Sequence, residues 1–489
     1  VTTEGLPVLF IKDLPPVSTI SIKLIRPQIY YGELTNEYVF VGTKQKEFDY
    51  PAGETNIYTN YTGGGGVPIG SFIRRLLYAF QLGSLKIILS DDIRGNARIL
   101  YRRTVMERAT TAMPFLDFDD DPYLIITDAG ELKWILDAYT ESDAYPYSQR
   151  TTNGTSYMRN SVKVVIDAYD GTVDAYIADP NDPVIKTYAG IFDGIFKPLT
   201  AMPADVRRHV RYPGDLFRIQ TALHATYHMV QPETFYHRED QWQIPGGLKQ
   251  GTSDNPFMRH IIMKLPGEKN PEFIYMTPFT PRGKDNLAAW MVARMDGDNY
   301  GKLSVYRFPK QSLVYGPKQI ANRINQDTEI SRQITLWDQR GSQVIRGELL
   351  VIPIEESLIY VQPIYLRAEG GNIPELKRVV VAHENQVVMG ETLEEGLNAL
   401  FGSGAAGQTR TSVRDSVSAL SVTQPPVIGG GIAPAPGAPP SATVSELLRE
   451  AQAHYDRAIA AQRAGNWAEY GREIEQLGAA IRALRAGKQ

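Results

Sequence analysis

The chain of 489 residues contains no cysteine. That excludes disulfides, thiolate nucleophiles and cysteine-based zinc sites. An exported protein that folds without disulfides and a cytosolic one both fit such a composition. No apolar run reaches the ~18–20 residues that a membrane-spanning helix needs, and no secretory signal pattern stands at Val1. No cluster of lysine and arginine stands out and the formal net charge is −4, so no basic field argues for nucleic acid as a partner. The chain does not open on methionine. Val1-Thr-Thr-Glu-Gly reads as an internal cut or a processed product, and the chain is expected to be a soluble piece or the soluble part of something larger.

What is present is ample for a large core: 43% of the residues are hydrophobic, and the length suggests roughly two to four domains. Tyrosine is used 27 times, which suits contact surfaces and sheet packing alike. The most unusual local feature is four consecutive glycines, Gly63, Gly64, Gly65 and Gly66. Such a run loses much chain entropy on ordering and allows a close backbone approach. A ligand, a chain crossing or a mobile hinge would each account for it.

The pattern along the chain predicts an α+β fold: a strand-rich main body with interspersed helices, a disordered Gly/Pro/Ala linker and a C-terminal helical hairpin. Residues 1–180 form the strand-rich N-terminal part of the body. Tyr38–Val41 reads as a strand, and Ile57–Tyr61 as a second candidate. Phe72, Leu76, Ala79 and Phe80 share one face of a helix over Ser71–Leu82. Lys86–Ser90 and Ala97–Tyr101 are strand candidates, and Arg103–Met113 reads as a helix that stops before Pro114. Two similar hairpins follow, Tyr123–Thr127 with Leu132–Asp137, and Val162–Ala168 with Thr172–Ile177, each around an Asp/Gly turn. They suggest a meander or a blade-like sheet.

Residues 181–402 form a mixed part. Residues 184–229 read as helical with proline breaks. Strands are expected at Ile261–Leu265, Phe273–Met276 and Leu303–Phe308 around a helix Asp285–Met295. Helices at Pro317–Ile324 and Glu329–Asp338 precede strands Leu349–Ile354 and Leu358–Val361, then a hairpin Arg378–Ala382 and Gln386–Met389 and a helix Leu393–Phe401. Residues 403–443 are nearly uncharged and poor in large apolar residues, which makes a linker. Residues 444–486 read as a helical hairpin, with Gly465 ending the first helix and Asn466 capping the second.

Several segments together resemble one family. They include Leu6-Pro-Val-Leu-Phe-Ile-Lys-Asp-Leu-Pro-Pro16, Pro27-Gln-Ile-Tyr-Tyr-Gly-Glu33 and Thr43-Lys-Gln-Lys-Glu-Phe-Asp-Tyr-Pro51. To these belong Asp215-Leu-Phe217, Tyr227-His-Met229, Pro278-Phe-Thr-Pro281, Asn299-Tyr-Gly-Lys302, Ile334-Thr-Leu-Trp337 and Ile345-Arg-Gly-Glu-Leu-Leu-Val-Ile-Pro-Ile354. In this order they resemble the bacterial uncharacterised protein family 0182, from Gly5 to Gly402 and on through the linker and hairpin. The resemblance implies large multipass membrane proteins with N-terminal transmembrane helices, this chain being the soluble extracytoplasmic region at the cell membrane. The upstream transmembrane region and the membrane itself would then be its first partners, with an envelope protein, lipid or glycan as further ones. It assigns no reaction and no oligomeric state.

Each candidate site has a plain structural account beside the functional one. Gly63–Gly66 before a helix invites a phosphate-loop reading with Arg74 and Arg75 as anion partners. No GxxxxGK[ST] signature is present, and no strand runs directly into the loop, so a crossing or mobile loop is the leading account. Asp117, Asp119 and Asp121 are acidic enough to hold calcium, but the loop lacks the glycine and distal glutamate of an EF-hand and equally makes a solvated turn. His224 and His228, at i and i+4 on a helix, share a face on which zinc could be held, but no His-Glu-x-x-His is present, and packing among aromatics explains them as well. Asp137, Glu141 and Asp143 lie among Trp134, Tyr139, Tyr145 and Tyr147, the composition of a glycan site with catalytic carboxylates and also of a tyrosine-rich sheet rim. No cofactor is required by any of these, with zinc or calcium the only candidates. The leading expectation is an envelope domain that binds, scaffolds or gates. The alternative is an envelope hydrolase acting on a glycan or other substrate through carboxylates or a metal.

Overall fold

The computed structural model describes residues 8–93, 95–246, 257–311, 313–339, 341–354, 357–371 and 373–402, together with residues 453, 454, 457, 469, 472, 473 and 476. The chain divides into two compact units, Val1–Val413 and Arg414–Gln489. The first is mixed α+β and holds three main sheets, and among the described residues no helix is long and apolar enough to cross a membrane.

The first sheet contains the two expected hairpins as one meander. Strands Phe196–Pro198, Val173–Ile177, Tyr157–Asp167, Leu132–Ser142 and Asp117–Phe118 lie in that order, with Tyr123–Ile126 also on Leu132–Ser142. Strict alternation makes both faces useful. Trp134, Leu136, Ala138, Val162, Val164 and Ile166 face a core shared with Val105, Ala109 and Met113 of the helix Val105–Ala112 and its C-terminus. Ile135 and Val165 face the other side, with Tyr123, Met202 and Val206. Asp137 and Lys163 belong to that second side, directly opposite each other in the antiparallel register.

The second sheet runs Trp242–Gln243, Pro271–Pro281, Ala289–Arg294, Leu303–Arg307, with Arg259–Lys264 also paired to Pro271–Pro281. The helix Gly214–Tyr227 covers one face, setting Phe217 and Ala225 against Phe279, Ala289, Met291 and Ala293. The third sheet centres on Ser357–Ala368 and Glu375–His383, packed on one side by helices Pro317–Gln326 and Thr328–Trp337 and on the other by Leu393–Phe401.

Two expectations are corrected. Asp285–Met295 is not a helix, because Ala289–Arg294 is a central strand with all six residues buried. Its alanines, methionine and arginine favour helix locally, but pairing on both edges and cover on both faces decide otherwise. Lys86–Ser90 is not a strand but a single helical turn, Lys86–Leu89 (α2 below), after the helix Phe72–Gln81 (α1 below). Without a strand to pair with, the turn satisfies its own backbone, Leu89 N–H donating to the Leu85 carbonyl and Ser90 N–H to that of Lys86.

The glycine run is a close chain crossing. A Cβ at Gly63 would lie 1.8 Å from Asp170 Oδ1 and one at Gly65 2.2 Å from the Asp170 carbonyl oxygen, while Gly66 has φ +70°. Arg98 clamps the run, donating to the carbonyls of Gly65 at 2.5 Å, Gly64 at 2.6 Å and Gly66 at 3.0 Å. The linker over 403–443 lies outside the described residues. Of the 444–486 hairpin, the described residues are helical, and His454 Nδ1 and Arg457 Nε meet Glu473 Oε2 at 2.7 and 3.1 Å.

Candidate functional site

Between the first and second sheets opens a cleft of about 400 Å³. One wall is the first sheet and its entry turn: Asp119, Asp120, Asp121, Tyr123 and Asp137. The segment entering the helix Gly214–Tyr227 adds Arg211, Tyr212, Asp215 and Arg218, and the second sheet supplies Arg259, His260 and Tyr275. Nearly every functional side chain here is a carboxylate, a guanidinium or a ring.

The floor is built on Lys163. It is 1% exposed and ion-paired to Asp137, itself 6% exposed, and it also donates to the Arg211 carbonyl at 3.0 Å. Burial alone would lower the ammonium's pKa, but the Asp137 carboxylate and the phenols of Tyr300 and Tyr123 outweigh it and hold Lys163 above its usual range. Arg211 is pinned by its backbone: its N–H donates to Tyr123 Oη at 2.9 Å and its carbonyl accepts from Tyr300 Oη at 3.2 Å. Its guanidinium lies 4.3 Å from the Tyr123 ring centroid, a cation–π contact.

Asp119 organises the acidic rim. Tyr139 Oη donates to Asp119 Oδ2 at 2.5 Å and the Asp215 N–H donates to the same oxygen at 3.2 Å. Burial first, then the charge of Asp119, raises the pKa of Asp215, with Arg218 opposing at 2.5 Å. On the far wall His260 stacks on Tyr275 with ring centroids 4.2 Å apart. Although the residue as a whole is exposed, desolvation of the ring and then Arg211 pull its pKa below the usual range, so it is neutral at neutral pH.

The model of the Uncharacterised protein family (UPF0182) matches residues 1–337. The chain belongs to the UPF0182 family. It is 51% identical over 485 residues to a UPF0182 protein of Geobacter sulfurreducens, covering 99% of this chain and 51% of that protein. A UPF0182 protein of Pelotomaculum thermopropionicum is 47% identical over 489 residues, 100% of this chain and 51% of its own length. The chain therefore spans about half the length of these UPF0182 relatives. No solved structure matches it. Of the segments that carry the UPF0182 resemblance, 215–217 gives Asp215 to the cleft lining, and 299–302 supports the lining residue Arg211 through the Tyr300 hydroxyl.

The residues singled out in the sequence are distributed unevenly around this site. Asp137 lines the cleft. Glu141 stands past a bulge between Ala138 and Thr140 and accepts from Thr155 at 3.1 Å, while Asp143 is exposed beyond the strand end. Asp119 and Asp121 line the cleft, and Asp117 is exposed on the strand before them. His224 and His228 lie elsewhere: His228 stacks on Trp242 at 3.6 Å with the His224 ring 6.0 Å away. The Nε2 atoms of both are buried without a hydrogen-bond partner. Burial lowers the pKa of each, and Arg307 adds to that. No group of three or more metal-binding side chains occurs among the described residues. Gly63–Gly66 make the crossing. Arg74 donates one guanidinium N–H to the Pro68 carbonyl and keeps others toward solvent, while Arg75 donates to the carbonyls of Ile69 and Ile93.

Lys163, Arg211, Asp215, Arg218, Arg259, His260 and Tyr275 escape a linear reading. Lys163 carried a signal nonetheless. It interrupts the apolar strand Val162–Ile166, and a charge inside such a run needs a buried partner.

Proposed function

We propose that this chain is the extracytoplasmic region of an integral membrane protein at the cell envelope, and that its cleft binds a hydroxyl-rich ligand of the carbohydrate class. The observation that carries the binding reading is the composition of the cleft. Carboxylates gather on the first-sheet wall, guanidiniums come from the helix entry and the second sheet, and rings stand among them, with Tyr275 and His260 stacked on one side. Asp and Arg side chains offer acceptors and donors to hydroxyls, and ring faces offer a platform. The envelope context is supported by the resemblance to the UPF0182 family.

Titration calorimetry with short N-acetylglucosamine oligosaccharides tests it. Saturable binding that is weakened roughly tenfold or more, about 1.4 kcal/mol, by Tyr275→Ala and by Arg218→Ala is expected. No binding of any oligosaccharide, or equal binding by both variants, sinks the cleft reading.

A second reading, a carboxylate-based hydrolase, draws on Asp215 beside Asp119, where burial and then the neighbouring charge push its pKa up, the direction that a general acid needs. It predicts release of new reducing ends from the same oligosaccharides, abolished by Asp215→Asn with binding retained.

A further inference from the structure

The helix α1 is turned inside out. At about 100° per residue, Phe72, Ile73, Leu76, Leu77 and Phe80 form one continuous face. Every one of them is exposed, Phe80 to 90%. Ala79, at the edge of that face beside Phe72, enters a core with Ile69, Ile87, Ala97 and Ile99, and Tyr78 and Leu82 pack against the same core from the far side of the helix. α2 continues the outward surface with Leu89 and, at its cap, Leu85, exposed to 78% and 71%. A helix on a water-facing surface points its apolar stripe the other way, and a contiguous apolar patch marks a surface that meets something else.

Within α1 and α2 the charge has one sign, and Asp91 and Asp92 follow directly after α2. From Thr55 to Ser90 there is no aspartate or glutamate, while Arg74, Arg75 and Lys86 contribute three positive charges to a chain of net charge −4. Arg74 and Arg75 are held at the flank of the face by the Pro68, Ile69 and Ile93 carbonyls, and Lys86 is exposed. Ten residues make a helix about 15 Å long, half the thickness of a bilayer's hydrocarbon core, so α1 cannot span one. An apolar face flanked by basic residues is the pattern of a helix lying in the plane of an anionic lipid surface.

We propose that α1 and α2 form an interfacial foot that docks on an anionic lipid surface. Phe72, Ile73, Leu76, Leu77 and Phe80 enter the acyl boundary, and Arg74 and Lys86 meet the lipid phosphates. The inference rests on the envelope reading for which membrane it meets and is independent of the cleft. A second copy is the weaker occupant, because two such faces brought together would oppose positive charge to positive charge.

Flotation of the 489-residue chain with vesicles tests it. Binding to vesicles of phosphatidylcholine with phosphatidylglycerol is expected, with weaker binding to phosphatidylcholine alone. Leu77→Glu/Phe80→Glu should weaken it roughly tenfold or more, with melting unchanged because both side chains are exposed. Phe80→Trp should bind like the wild type and shift its emission to the blue. Lys86→Glu should remove the preference for anionic vesicles. No binding to the anionic vesicles, or equal binding by Leu77→Glu/Phe80→Glu, overturns the proposal. So does a lipid-free dimer of the wild type that this double variant abolishes, which would assign the face to a second copy. Vesicle binding without oligosaccharide binding keeps this inference and removes the cleft reading; the reverse result does the opposite.

Discussion

The cleft and the α1–α2 unit break the ordinary rule of burial in opposite directions. In the cleft wall two charges, Lys163 and Asp137, sit at 1% and 6% exposure inside an apolar strand pair. In α1 a phenylalanine sits at 90% exposure on a helix whose small residue is buried. Burial of charge costs several kcal/mol per ion unless partners compensate, and here they do: the ions face each other across the register and Lys163 also holds the Arg211 carbonyl. The exposed apolar face of α1 has no such compensation among the described residues. The first departure is thus self-contained and should govern stability. The second draws on something outside the unit and should leave stability almost untouched.

The largest effect should come from breaking the compensated side. Lys163→Met strands Asp137 in the interior and should destabilise the fold by about 3–5 kcal/mol, read from the midpoint of urea unfolding. Adding Asp137→Leu should restore most of it, since a well-packed apolar pair replaces the ion pair at little net cost. Failure of the double variant to recover would mean that Asp137 also serves another partner in the cleft.

Next is the glycine crossing that precedes α1 in the chain. Gly65→Ala drives a Cβ into the Asp170 carbonyl and should cost about 1–3 kcal/mol by the same measurement. Gly64→Ala has no atom within 4 Å of the added Cβ and should stay within about 0.5 kcal/mol of wild type. A large loss at Gly64 would show that the run needs conformational freedom and not only space.

A smaller effect is expected from pH at a second buried pair. The Arg294 hydrogen bond holds Glu272 below its usual range. Its folded pKa is lower than its unfolded one, near 4.5. The stabilisation is therefore present above about that pH and is lost as pH falls through the folded value. Unfolding of wild type and Glu272→Gln across pH 7 to about 3 should show a steeper acid loss in the wild type. The smallest effect should be at the exposed side: Phe80→Ser should leave unfolding within about 0.5 kcal/mol. A larger loss would mean that the face is packed and would narrow the contrast with the cleft.

Much of the body could be read from local pattern. The hairpins over 123–137 and 162–177 alternate strongly around Asp/Gly turns, and they form neighbouring strands. The paired helices near 317–326 and 328–337 announced themselves by amphipathic spacing. Ala289–Arg294 did not, because its residues favour helix and only its place at the centre of a sheet makes it a strand. Of the cleft, Asp119 and Asp121 stood out as part of an acidic loop and Asp137 as a carboxylate near aromatics. Their partners Lys163, Arg211, Arg218 and His260 lie tens of residues away, so nothing local joined them.

The sequence alone determined the mixed α+β class and the two hairpins, because these follow from side-chain periodicity and turn chemistry acting over a few residues, and its ordered motifs carried the family resemblance. Only the tertiary structure decided which charges are buried, that the glycine run is a crossing clamped by Arg98, and that α1 shows its apolar face outward. Those depend on which surfaces segments far apart in the chain present to one another. The same periodicity that makes α1 a helix is silent about the direction in which its stripe points.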